Sequence, residues 1–175
     1  MIDKVPKPAF VIRDKLFKTC METGGMKMSD FMERAVELAL RNADEGGHPF
    51  GAVLVKDEQI AAEGVNELHR SYDVSAHAEM EAIRSVQEEQ RTHDLSGYTM
   101  YASGEPCPMC LSAMYFTGIE TVYYAGTVEE AAAAGLDLSK IIYDELHKPR
   151  QERKISMIQM LKKDSQEDPM QRWNR

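Results

Sequence analysis

The stretch Pro106-Cys107-Pro108-Met109-Cys110 constrains this chain more than any other part of it. A C-x-x-C pair on the opening turn of a helix sets both sulfurs on one side. Exposed N–H groups at such a turn favour the thiolate, the form that binds metal. Pro106 suits the start of that helix, where no N–H is required. A second fragment, Ala76-His77-Ala78-Glu79, also opens a predicted helix. It supplies an imidazole and, two residues on, a carboxylate. A fold that uses both fragments must bring two helix starts together.

His77, Cys107 and Cys110 make three protein ligands. A structural zinc site is closed by four ligands, whereas a catalytic site leaves the fourth place to water. His48, His69, His93 and His147 stand at no recognisable ligand spacing. Cys20 is isolated, and an odd count of three cysteines argues against a disulfide framework. Glu79 lies near enough to serve the metal site without ligating. It can take a proton from water and later hand it to a leaving amine. Taken alone, the C-x-x-C pair also fits a redox pair or half of a structural zinc site. A redox role would leave His77 and Glu79 without a task. The combination H-x-E…P-C-x-x-C is the signature of zinc deaminases.

The rest of the chain reads as one soluble α/β domain. It has 175 residues, 43% hydrophobic and 29% charged, enough for a real core. No apolar run approaches the ~18 residues a membrane helix needs. The start lacks the apolar stretch of a secretory signal, so the cytoplasm is the expected location. The net charge of −8 disfavours a grip on long nucleic acid, which usually takes a basic face. A small heterocyclic amine is the expected partner.

Periodicity predicts a helix over 30–44, with Asp30 as N-cap and Glu33 three residues on. Strands are expected at 50–55 and 59–65, forming a hairpin, and at 98–102 and 119–124. Helices are expected at 75–90, from Pro106, and at 128–134. Residues 155–161 fit either a strand or a short helix. This order implies a sheet with helices on both faces. The predicted divisions are an N-terminal extension at 1–28, a deaminase domain at 29–163 and a tail at 164–175.

Four motifs carry a resemblance to the cytidine deaminase-like superfamily, and within it to small bacterial guanine deaminases. They are His48-Pro49-Phe50-Gly51-Ala52-Val53, Glu63-Gly64-Val65-Asn66, Ala76-His77-Ala78-Glu79 and Glu105-Pro106-Cys107-Pro108-Met109-Cys110, with a weaker echo in Ala134-Gly135-Leu136-Asp137. The resemblance implies a three-layer α/β/α fold with a five-stranded mixed sheet. It implies one Zn2+ per subunit with a bound water, held by His77, Cys107 and Cys110, and Glu79 as the catalytic proton carrier. It further implies Phe50 as a wall for the base, although core packing explains Phe50 equally. Asn66 would hydrogen-bond the ring, or serve as a turn residue. The Ala78 N–H would hold a ring carbonyl, Asp137 would contact substrate, and Glu105 would shape its loop. A homodimer, domain-swapped through the C-terminal segment, is also implied. The implied reaction is hydrolytic deamination of guanine or a related amino-heterocycle. The alternatives are a tRNA adenosine deaminase, a cytosine or cytidine deaminase, and a catalytically inactive zinc scaffold. Asp137 is followed by Leu138 where the resemblance implies a second acidic residue, which bears on the ring accepted.

Overall fold

In the computed structural model, residues 27–163 and 165–173 are described. Cys20 and most of the 1–28 extension lie outside them. The elements in chain order are α1 (Met28–Asp44), β1 (Gly51–Lys56), β2 (Gln59–Val65), α2 (Leu68–Ser71), α3 (Ala78–Gln90), β3 (Thr99–Gly104), α4 (Pro108–Thr117), β4 (Thr121–Gly126), α5 (Val128–Ala133), α6 (Leu138–His147) and α7 (Pro169–Trp173). A 3₁₀ turn, Arg150–Glu152, follows α6.

The strands form one mixed sheet in the order β2-β1-β3-β4. β1 pairs antiparallel with both β2 and β3, while β3 and β4 run parallel. The parallel pair is joined by a crossover through α4, as parallel strands require. The β1–β2 hairpin closes on Asp57 and Glu58, both at positive φ (50° and 58°). That conformation matches the right-handed twist of the flanking strands.

β1 is buried on both faces because alternate residues enter different cores. Ala52 and Leu54 join a cluster with Ala82, Ile83 and Val86 of α3 and Met114 of α4. Val53 and Val55 join Phe31, Ala35 and Leu38 of α1, together with Tyr101. Helices therefore cover both faces, giving three layers. Two glycines permit this closeness. A Cβ on Gly51 would stand 2.4 Å from the Ala35 carbonyl, and one on Gly64 only 2.1 Å from the Ala78 carbonyl. The second contact presses β2 against the helix start that follows His77. A buried ion pair braces the same strand: Arg34 Nε donates to Glu63 at 2.7 Å, with side-chain exposures of 2% and 3%.

The sheet has four strands among the described residues, not the five implied by the resemblance. Residues 155–161 form neither strand nor helix. They run exposed, with Ile158 at 83% and Leu161 at 85%, and among the described residues no strand supplies a ladder partner. The first helix also starts earlier than its sequence pattern predicts. Lys27 is the N-cap, and Asp30 sits three residues inside, where its carboxylate accepts the Lys27 N–H at 2.8 Å. Pro108, not Pro106, occupies the first turn of α4. α2, α6 and α7 were not expected from periodicity. Among the described residues, no helix is long and apolar enough to cross a membrane.

Candidate metal centre and its cavity

The two helix starts meet where β3 ends. His77 is the N-cap of α3 and Cys107 the N-cap of α4, both with extended backbone (ψ 155° and 165°). Cys110 lies one turn into α4 and is fully buried. The C-x-x-C spacing therefore does what helix geometry dictates, placing both sulfurs on one side. The Cys110 N–H donates to Cys107 Sγ at 3.5 Å. The two Sγ atoms are 3.5 Å apart, and His77 Nδ1 lies 3.5 Å from Cys107 Sγ and 3.6 Å from Cys110 Sγ.

These separations test the fit of a metal. A tetrahedral zinc with Zn–S of about 2.3 Å and Zn–N of about 2.05 Å needs ligand-to-ligand edges of about 3.6–3.8 Å. The observed edges match that requirement to within about 0.3 Å. Two thiolates and an imidazole are also a donor set that suits zinc. Among the described residues, these three form the group of His, Cys, Asp and Glu side chains close enough to hold a metal ion. The trio fits zinc and supplies three ligands.

The electrostatics follow from burial and proximity. Cys107 is pulled well below the usual thiol range, first by the sulfur contact with Cys110 and then by His77 and the Cys110 N–H. Its partner Cys110 is pushed up, because its S–H bonds a thiolate and lies buried beside Glu79. The two sulfurs thus share one proton, the S–H of one holding the thiolate of the other. His77 is raised by its contact with Cys107. Glu79, 7% exposed, is raised chiefly by burial, partly offset by a hydrogen bond from its own N–H.

A cavity of about 510 Å³ opens over the trio, with His77 and Cys107 in its lining. Phe50, Asn66 and Asp137 line it as well. Phe50 also packs against the larger core cluster, so both sequence readings of it apply. Asn66 is 1% exposed and held at three points. Its N–H donates to Phe50 O at 3.2 Å, its carbonyl accepts from Asn42 Nδ2 at 2.9 Å, and its Oδ1 accepts the Leu68 N–H at 3.2 Å. That last bond fixes the amide so that Nδ2 is its free end. Ala78 and Glu79 do not line the cavity; they are buried at the start of α3. Glu105 accepts the Val128 N–H at 3.1 Å, which ties its loop to α5. Trp173 is 86% exposed on α7 and does not line the cavity.

Several lining residues were not anticipated: Val74, Met109, Leu136, Ser139 and Ile142. Three of them come from α6 or the turn before it. Their signal was present as the apolar spacing of Leu138, Ile141, Ile142 and Leu146, a helical i, i+3, i+4, i+8 pattern.

The geometry agrees with comparison to known proteins. The cytidine and deoxycytidylate deaminase zinc-binding region matches residues 26–126. The chain belongs to this deaminase family. It is 45% identical over 136 residues to the guanine deaminase of Bacillus subtilis, covering 77% of this chain and 86% of that one. A crystal structure of the Bacillus subtilis enzyme superposes with a TM-score of 0.78 at 42% identity, over 85% of this chain and 94% of the other. The tRNA-specific adenosine deaminase of Agrobacterium fabrum is 38% identical over 94 residues, 54% of this chain and 62% of that one. The family match makes this chain a zinc-dependent deaminase, and it disposes of the redox reading of the C-x-x-C pair.

Proposed function

We propose that this chain hydrolyses the exocyclic amine of guanine or a close amino-purine: guanine and water give xanthine and ammonia. The carrying observation is the zinc-fitting trio beside buried Glu79 beneath a ring-sized cavity, in a chain alignable along 86% of a guanine deaminase. His77, Cys107 and Cys110 hold the metal. When bound, zinc acidifies water, to a pKa near 7 in sites of this kind.

The remaining work falls to side chains. Phe50 offers a flat face to the base. Asn66 directs its amide N–H to a ring acceptor, and the Ala78 N–H, left unused by its helix, is offered to a ring carbonyl that reaches the buried start of α3. Asp137, also in the lining, takes an N–H of the ring. Glu79 accepts the proton of the attacking water, protonates a ring nitrogen, and returns a proton to the departing amine. Burial raises its pKa toward working pH, which such two-way transfer needs. Leu138 supplies no polar contact beside Asp137, so discrimination rests on Asn66 and Asp137.

A homodimer accompanies this reading. Tyr115 and Phe116 on α4 are 79% and 87% exposed, and the apolar side chains of the segment 155–161 are exposed as well. We infer that a second copy covers these surfaces, exchanging the C-terminal segment. The free thiols of the trio suit the reducing cytoplasm. The charge of −8 counts against a tRNA substrate. Ammonia release from guanine, guanosine, adenine, adenosine, cytosine, cytidine and an adenosine-bearing tRNA tests the assignment. Release from guanine is expected; release from adenosine in tRNA, with none from guanine, would overturn it.

A further inference from the structure

α6 forms a wall of the cavity, contributing Leu138, Ser139 and Ile142. Yet none of its ten residues is buried. Its apolar side chains are exposed: Leu138 66%, Ile141 43% and Leu146 48%. Most of its side-chain hydrogen bonds stay local. Lys140 pairs with Asp144 and Lys148 with Glu145, His147 Nδ1 meets the Tyr143 carbonyl, and Glu145 accepts the Lys154 N–H. One bond goes elsewhere. The Tyr143 hydroxyl donates to the Pro106 carbonyl at 2.7 Å. Pro106 immediately precedes Cys107, and its carbonyl belongs to the loop that carries the metal ligands.

We propose that Tyr143 is a positioning residue that pins α6 to the metal-ligand loop and thereby sets how tightly the cavity holds its ring. The reasoning is mechanical. A helix whose side chains are at most half-buried has little packing energy within its own chain to fix it. A single well-formed hydrogen bond at its midpoint is then the side-chain tether that its own chain supplies between this wall and the metal-ligand loop. Releasing the bond lets Leu138, Ser139 and Ile142 drift from the ring, while His77, Cys107 and Cys110 keep their places, because α3, α4 and the core hold those. The effect falls on binding and spares the chemical step. Where the ring sits rests on the proposed function; the attachment of α6 does not.

The test is Tyr143→Phe in the zinc-loaded full-length protein, with three readouts. The variant is expected to keep wild-type zinc content, and kcat should stay within about twofold. KM should rise about fivefold or more, the effect of one lost hydrogen bond. Trypsin should cleave faster after Lys140, and a saturating non-hydrolysed purine should slow that cleavage. A purely structural role would lower the melting temperature and leave KM alone, which would overturn the proposal. Loss of zinc with collapse of kcat would overturn it too, by assigning the bond to the metal loop. Were wild-type protein silent on guanine, the trypsin rates would still decide, since cleavage at Lys140 needs no turnover. Equal rates in variant and wild type would refute the attachment itself.

Discussion

Replacing Gly64 with alanine adds one methyl group at the place where β2 meets the start of α3. The new Cβ would stand 2.1 Å from the Ala78 carbonyl and 2.9 Å from the Ala82 nitrogen, whereas real Cβ atoms essentially never come closer than 3.0 Å. The strand and helix must therefore part by at least 0.9 Å. Both obstacles are backbone atoms, so no rotamer change relieves the clash. Ala78 lies between His77 and Glu79, and the displacement passes straight to both. Overpacking of this kind costs about 1–3 kcal/mol of stability. The larger effect is on the site. Metal–ligand distances tolerate only about 0.2 Å, and a misplacement of about 1 Å costs roughly 100-fold in rate. Zinc affinity should fall about 10- to 100-fold, as for disturbed supports of metal ligands. A chelator competition for zinc, a thermal melt and an ammonia assay on one preparation read all three. A folded Gly64→Ala protein with zinc affinity and turnover within twofold of wild type would refute the claim that this contact positions His77 and Glu79.

Other outcomes follow from the same geometry. Arg34→Ala leaves Glu63 buried without its partner and should cost about 3–5 kcal/mol in urea unfolding. Loss of less than 1 kcal/mol would contradict the assigned burial. Zinc binding must displace the proton that the two sulfurs share and any proton on His77, which the thiolate raises, so zinc affinity should rise with pH through neutrality, with at least one proton released per zinc. Calorimetry in buffers of different ionisation heat measures this, and an affinity flat from about pH 6 to 8 would contradict it. Burial raises Glu79 above its ordinary value of 4.5. Its carboxylate therefore weakens the zinc-free fold as pH rises through that raised value, and has no effect below 4.5. Zinc-free Glu79→Gln should melt above wild type at alkaline pH and alongside it in acid; equal melting at both would count against the desolvation of Glu79.

What the sequence disclosed was local chemistry and local periodicity. The trio was legible because C-x-x-C and H-x-E spacings on helix starts fix directions within a turn, and β1 with β2 was legible as two apolar runs around a polar turn. Ile155 to Leu161 shows where this reading stops. A strand exists only when a partner accepts its hydrogen bonds, and no run of residues states where that partner is. α6, by contrast, carries a readable apolar spacing at Leu138, Ile141, Ile142 and Leu146. Its apolar face, Leu138 to Leu146, packs on little of its own chain, and the Gly135 stop marked the end of helical pattern. The cavity was the least legible part, since Val74, Met109 and Ile142 come from separate segments that meet only in the fold. Tyr143 had no signal at all: its partner is a backbone carbonyl 37 residues away.

Glu79→Gln tests the central claim most directly. Zinc content and ammonia release from guanine would be measured on the same zinc-loaded samples of variant and wild type. The account predicts that wild type deaminates guanine, and that the variant keeps its zinc while losing at least about 100-fold in turnover, the lower range for a lost proton carrier. A zinc-replete variant that still deaminates guanine at the wild-type rate would contradict it.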